Sequence, residues 1–171
     1  VESRVLWVLR KRLLLTTAAV PPTLAAATES LLSRRARALF QAGDLPALAE
    51  LLAVVPPTHQ EEALSKLGAD VAFVTNDLAR ACDTVASWVE RSRDRYWQKA
   101  LVFCEALNGA WERVDFGMRL LIELDEDDET FFALMRAIGG ETGTSNGLDV
   151  NSLRGLDVAM ARAARVGLPD P

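Results

Sequence analysis

Three short turn sequences decide the fold: Ala42-Gly43-Asp44, Thr75-Asn76-Asp77 and Leu107-Asn108-Gly109. Gly43, Asn76 and Gly109 stand 33 residues apart from one to the next. Glycine and asparagine are typical of the turn that ends one helix before another begins. The spacing therefore predicts a structural unit of constant length with a turn inside it.

A second repeated motif marks the other end of each unit. Val20-Pro21-Pro22-Thr23 recurs as Val55-Pro56-Pro57-Thr58, 35 residues later. Proline has no N–H to donate and disfavours helix in the residue before it, so both motifs are expected to end helices. A period of 33 to 35 residues with a turn in each half is typical of helix–turn–helix repeats.

The apolar residues follow helical spacing almost throughout, and no long alternating strand pattern interrupts them. We therefore predict an all-α fold, a right-handed solenoid of antiparallel helix pairs with about seven to nine helices, which forms a single domain over residues 1–171. The predicted helices are Arg4–Ala18, Ala26–Gln41, Leu45–Val54, His59–Val74, Leu78–Arg91, Arg95–Leu107, Trp111–Leu124, Glu129–Ile138 and Leu148–Val166.

Two helix starts carry capping signals. Thr58 and Glu61 have the spacing of a capping box, in which each side chain bonds the backbone N–H of the other residue. Asp94 precedes the helix predicted from Arg95 and is expected to cap it.

The turn at Gly43-Asp44 and the 33–35 residue rhythm resemble the tetratricopeptide superfamily of helical repeats. Ala81 occupies the place where that family has a small residue between helices, whereas the corresponding Leu48 and Val114 are larger. The family's Trp-Leu-Gly-Tyr pattern is missing from the first helix of each unit. The resemblance covers the architecture of the whole chain, and it implies a concave face that binds a peptide or a partner protein.

A second resemblance rests on three short segments. Residues 40–45, 97–104 and 156–164 are similar to exported, uncharacterised helical-repeat proteins of alphaproteobacteria. This resemblance implies a bacterial periplasmic or cell-envelope location.

Charge and hydropathy limit the classes of partner. The chain has 19 basic and 24 acidic residues, a net charge of −5, which disfavours nucleic-acid binding. The cluster Arg10-Lys11-Arg12 is more typical of a solvated helix face than of a phosphate clamp, and it interrupts the most apolar stretch, so no membrane span is predicted. Because the chain opens on Val1 inside a helical pattern, we expect it to be a fragment of a longer protein.

Cys82 and Cys104 are each eleven residues from Arg93, near which the chain is expected to turn between two antiparallel helices. Both cysteines therefore lie about 16–17 Å from the turn and level with each other. They form either a disulfide, which implies an oxidising compartment, or two small buried apolar side chains.

The four tryptophans leave two interpretations open. Trp88 and Trp97 are expected near the ends of adjacent helices, where they would pack across the hairpin. Core packing is the plain interpretation of all four, Trp7 and Trp111 included. The alternative is that Trp88, Trp97 and Trp111 contact a partner from an exposed groove.

We predict no catalytic, cofactor-binding or metal-binding residues. His59 is the single histidine, stands near a helix start beside acidic residues, and has neither the partners of a zinc site nor those of a catalytic triad. The acidic run Asp125–Glu129 suits a helix start, with a calcium site or a docking patch for a basic partner as alternatives. The loop Gly139–Gly147 is either a connection or a partner-contacting segment.

These patterns favour a non-enzymatic protein–protein interaction or scaffold module, with no cofactor. Two alternatives remain open: a structural or assembly subunit of a larger cell-envelope complex, and an accessory helical domain of an enzyme whose catalytic part lies outside this chain.

Overall fold

A computed structural model describes residues 4–16, 30–55, 61–141 and 154–165. Across these ranges the regular structure is α-helix throughout, with no strand, which confirms the all-α prediction and its helix number. The helices are α1 Arg4–Leu15, α2 Leu31–Gln41, α3 Leu45–Ala53, α4 Glu62–Val74, α5 Leu78–Trp88, α6 Arg95–Leu107, α7 Trp111–Glu123, α8 Glu129–Ile138 and α9 Gly155–Ala163.

Three helices begin later than predicted, at Leu31, Glu62 and Gly155, and at the first and last of these a local hydrogen bond fixes the first residue. Ser30 has extended backbone, and its side chain accepts from the Ser33 N–H at 3.1 Å, so α2 starts at Leu31. Arg154 is also extended, and its N–H donates to the Asp157 carboxylate at 2.8 Å. The prediction of helix from Leu148 through Arg154 is therefore wrong at Arg154.

The other helix bounds and the two predicted caps can be compared with the structure. The predicted ranges of α6 and α8 are confirmed to the residue. Asp94 caps α6, since its side chain accepts from the Tyr96 N–H at 2.9 Å. Thr58 and His59 lie outside the described residues, and so does the predicted capping box. Glu61 Oε2 accepts from the Ser33 hydroxyl at 2.8 Å.

The three predicted turns share one backbone geometry. Gly43, Asn76 and Gly109 all have left-handed φ, at 69°, 63° and 70°. After each of them, the next N–H donates to the carbonyl five residues earlier, which satisfies an end carbonyl of the preceding helix. These bonds are Asp44 to Leu39 at 3.1 Å, Asp77 to Ala72 at 2.8 Å and Ala110 to Glu105 at 2.9 Å.

The chain forms two compact units, Val1–Val71 and Ala72–Pro171, and the boundary falls within α4. In the first unit, α1 packs on α2 and α3, and α2 packs on α3. Lys11 of α1 lies 3.8 Å from Asp44, so part of the basic cluster contacts the turn before α3. The core of this unit is aliphatic and consists of Ala36, Leu39, Ala47, Leu48, Leu51 and Leu64.

In the second unit, α6 is the central helix and packs on α5, α7 and α8, while α8 packs on α9. Its core is richer in aromatic rings, and Phe73 and Phe103 meet with centroids 5.8 Å apart. The fully buried large side chains of this unit are Trp97, Phe73, Phe103, Phe131, Leu121, Leu134, Met160 and Val85. Among the described residues, no helix is long and apolar enough to cross a bilayer.

Candidate functional site

The second unit contains a lysine inside its core. Lys99 lies on the buried face of α6 and is 8% exposed. Its Nζ lies 2.7 Å from Asp128 Oδ2 and 3.3 Å from Glu126 Oε1, and 5.9 Å from the centroid of the Phe131 ring. A buried ammonium needs such partners because the loss of its hydration is costly. The cluster therefore joins α6 to the acidic run before α8.

Asp128 and a further carboxylate of this region, Asp157, also fix the ends of two helices. Asp128 caps α8, since its Oδ1 accepts from the Phe131 N–H at 3.0 Å. Asp157 sits in the first turn of α9 and bonds the N–H of Arg154. The Lys99 cluster, defined as Lys99, Glu126, Asp128 and Asp157, thus brings α6, α8 and α9 to one point.

The space enclosed by this cluster is small. Its cavity, of about 10 Å³, has room for roughly one water molecule and none for a substrate. The cluster therefore suits a structural role, in which charge pairing sets the positions of helices. The residues that line it are Tyr96, Lys99, Asp128, Phe131, Arg154, Leu156 and Asp157.

The pKa values of Asp128 and Asp157 are shifted in opposite directions. Burial acts to raise the pKa of Asp128, but the hydrogen bonds from Lys99 and the Phe131 N–H and the charges of Lys99 and Arg154 outweigh it, so this pKa is lowered. Burial dominates at Asp157 and raises its pKa, with only partial compensation from the Arg154 N–H. Folding therefore favours the charged form of Asp128 and disfavours that of Asp157.

The opposite pKa shifts predict that replacing each aspartate with asparagine changes the free energy of unfolding in opposite directions. Asp128→Asn is expected to lower the free energy of unfolding at pH 7 by about 1.5 kcal/mol, the lower end of the usual range for a hydrogen bond to a charged group. Because the folded pKa of Asp128 is lowered, this loss should disappear as pH falls below about 3.9. Asp157→Asn should raise stability at pH 7, since folding disfavours the charged form of Asp157 and this cost is fully present once the pH lies above its raised pKa.

Urea unfolding of both variants and the unchanged protein from about pH 2, well below the usual aspartate pKa, to about pH 7 measures these effects. An equal loss of stability for Asp128→Asn and Asp157→Asn at neutral pH would contradict the assignment.

The two cysteines form a disulfide, as one of the two interpretations predicts. Cys82 on α5 and Cys104 on α6 have Cα atoms 5.8 Å apart, within bridging range. The bridge joins the first half of α5 to the last turn of α6 and closes a sequence separation of 22 residues.

The tryptophans fall into three environments. Trp97 is fully buried, so its side chain offers no surface to a partner. Trp88 is half-buried and stacks on Trp97 with centroids 5.8 Å apart, which confirms the predicted packing across the hairpin. Trp111, at the start of α7, is 46% exposed, and Trp7 is 42% exposed.

Helix α7 presents most of its surface to solvent. It approaches α6 closely at Gly117, where a Cβ would lie 2.5 Å from Val102 Cγ2. Its buried side chains are Val114 and Leu121. The rest of the helix is free to carry apolar side chains outward.

Those outward apolar side chains form what we call the α7 stripe. Phe116, Leu120 and Leu124 follow one another at intervals of four residues, so they lie along one side of the helix. Phe116 is 71% exposed, and both leucines are partly exposed. Trp111 and Ile122 lie on the opposite flank, where Ile122 is 62% exposed. Sequence analysis missed the α7 stripe because helical spacing shows which residues share a face, but not which face remains uncovered.

Two further predicted segments are the acidic run Asp125–Glu129 and the loop Gly139–Gly147. The acidic run supplies both partners of Lys99 and the cap of α8, which agrees with its interpretation as a helix start. No group of residues suited to hold a metal ion occurs in the described ranges. Of the loop Gly139–Gly147, residues 142–147 lie outside those ranges.

Sequence analysis did not single out Lys99. A signal was present, since a lysine stands on the apolar face of the helix that contains Tyr96, Ala100 and Phe103, and an acidic run follows 26 residues later. Such a lysine needs a carboxylate partner, and the run offers several.

The fold and these sites define an all-helical protein with a buried lysine–carboxylate cluster, a disulfide-linked helix hairpin and an exposed apolar helix. No family model matches the sequence, and neither a curated protein nor a solved structure matches it significantly.

Proposed function

We propose that this protein is a non-enzymatic protein–protein interaction or scaffold module of the tetratricopeptide-like class. The observation that carries the proposal is the exposed apolar surface of α7, in which Phe116, Ile122 and Trp111 are 71%, 62% and 46% exposed. Large apolar side chains that stay exposed along one helix are typical of interaction sites, because such surface is costly to leave in water. Aromatic side chains are also the most frequent anchors of such interfaces.

Two further observations support a stack of helix pairs as the scaffold. The turns at Gly43, Asn76 and Gly109 have the same φ region and the same hydrogen bond, at a constant interval. Within each unit a helix also contacts the next helix but one, α1 with α3 and α6 with α8. Such contacts are expected when similar helix pairs are laid side by side.

The disulfide supports a periplasmic or envelope location. Disulfides persist in oxidising compartments and are rare in the reducing cytosol. The bridge between Cys82 and Cys104 is consistent with an oxidising compartment of this kind.

The alternative role, as an assembly subunit of a larger envelope complex, is favoured by α1. Its apolar side chains Val5, Leu6, Leu9 and Leu13 are between 56% and 72% exposed. A helix with such a surface is suited to lie between neighbours in an assembly.

Affinity purification from the native cell, with quantitative mass spectrometry, tests the interaction role. The double variant Phe116→Asp/Ile122→Asp changes α7, and Val54→Asp is the matched control because Val54 is 74% exposed in the other unit. All three positions are exposed, so each variant should fold, which circular dichroism checks. A partner retained by the unchanged protein and the control, but lost by the α7 variant, supports the proposal. A partner set that is the same for all three proteins contradicts it.

A further inference from the structure

We propose that the α7 stripe binds a positively charged amphipathic helix of a partner protein. This inference rests on the proposed interaction role and specifies the chemistry of the partner. It is carried by the shape of the stripe and by the charge of the residues around it.

The shape of the stripe suits a helix. Phe116 on α7 and Leu124, the residue that caps its end, are eight residues apart, so the stripe is a ridge about 12 Å long. Rows of side chains at intervals of four are the ridges that pack into the grooves of another helix. The neighbouring face of α7 is already used, because Val114 and Leu121 pack inward.

The charge beside the stripe is negative. Glu112 and Glu123 are exposed and lie within roughly 40° of Phe116 around the helix axis. Asp125 and Asp127 are exposed just beyond the end of α7. The stripe is therefore bordered by carboxylates along one side and at one end.

The basic residues of α7 do not offset this charge. Residues 111–129 contain eight acidic and two basic side chains. Arg113 lies 2.6 Å from Glu105, and Arg119 lies 2.6 Å from Asp115, so each already has a carboxylate partner. Lys99 engages Glu126 and Asp128 from inside the unit, and the exposed carboxylates stay outside that cluster.

An apolar ridge with an acidic border selects its occupant by complementarity. A helix with an apolar face and flanking lysines or arginines satisfies both features, since like charges at an interface are strongly disfavoured. An anionic membrane surface or a nucleic acid would be repelled by the same border.

Peptide binding to the full chain tests this assignment. The probe is a fluorescein-labelled amphipathic peptide of leucine and lysine, about 18 residues or five helical turns long. The matched probe has glutamate in place of every lysine. Fluorescence anisotropy should show binding of the lysine peptide alone, and its affinity should fall as salt concentration rises.

Three variants locate the binding. Leu120→Asp should weaken the lysine peptide about tenfold. Glu123→Lys/Asp127→Lys should weaken it by a similar factor and allow the glutamate peptide to bind. Asp83→Lys/Glu90→Lys makes the same change in net charge at exposed positions on α5 and just after it, and should leave affinity unchanged.

Three results would overturn the assignment: no binding of the lysine peptide, an equal effect of the control variant, or sedimentation that shows the chain self-associating through α7. The last outcome would make a second copy the occupant. If the native partner is lost with Phe116→Asp/Ile122→Asp while the lysine peptide fails to bind, the interaction role stands and the basic-helix assignment alone fails.

Discussion

Replacing Lys99 with methionine is expected to lower the free energy of unfolding by about 3 kcal/mol, the lower end of the usual cost of breaking a buried ion pair. Methionine has a similar length and fills the same space, so the loss of stability measures the effect of removing the positive charge. Without the ammonium, Glu126 and Asp128 remain close together and mostly shielded from water, with no cation between them. Urea unfolding followed by circular dichroism measures the change.

Two companion variants make the Lys99 result specific. Arg119→Met breaks an exposed pair with Asp115, and its stability should be nearly unchanged because water screens such pairs. The triple variant Lys99→Met/Glu126→Gln/Asp128→Asn should recover most of the lost stability, since it removes the stranded charges. A Lys99→Met protein as stable as the unchanged chain would show that the cluster does not hold α6 and α8 together.

Loss of the disulfide is expected to have an effect of similar size. The bridge between Cys82 and Cys104 closes a loop with a sequence separation of 22 residues. Restriction of the unfolded chain by a loop of this length is worth about 3 kcal/mol at room temperature. Thermal unfolding of the oxidised protein with and without dithiothreitol should therefore show a marked drop in Tm on reduction.

The double variant Cys82→Ala/Cys104→Ala is the control for this measurement. It should unfold near the temperature of the reduced protein and should not respond to the reductant. Two titratable thiols in the oxidised, denatured protein would contradict the disulfide and remove the structural support for an oxidising compartment.

Local features of this fold were predictable because their causes lie within a few residues. Gly43 and Asn76 mark turns through their tolerance of left-handed backbone, and the structure has that conformation at both. Asp94 caps α6 through its own side chain. The level positions of Cys82 and Cys104 followed from helix rise alone, although rise left open whether they face each other.

Features that depend on distant residues were not predictable in the same way. The contact of Lys99 with Asp128 joins residues 29 positions apart, and periodicity cannot tell which segment will cover a given face. The exposure of Phe116 has the same origin, because an apolar side chain at this position could be covered by a distant segment or left in solvent, and helical spacing does not decide which. The start of α9 depended on one hydrogen bond, from the Arg154 N–H to Asp157.

We propose that the α7 stripe is where this protein meets its partner. Hydroxyl-radical footprinting of the purified chain, alone and in the complex recovered from the native cell, measures this directly. We expect Phe116, Leu120 and Leu124 to be oxidised in the free protein and protected in the complex, while Val54 reacts equally in both. Equal oxidation of Phe116 in the two samples, with protection confined to other surfaces, would contradict it.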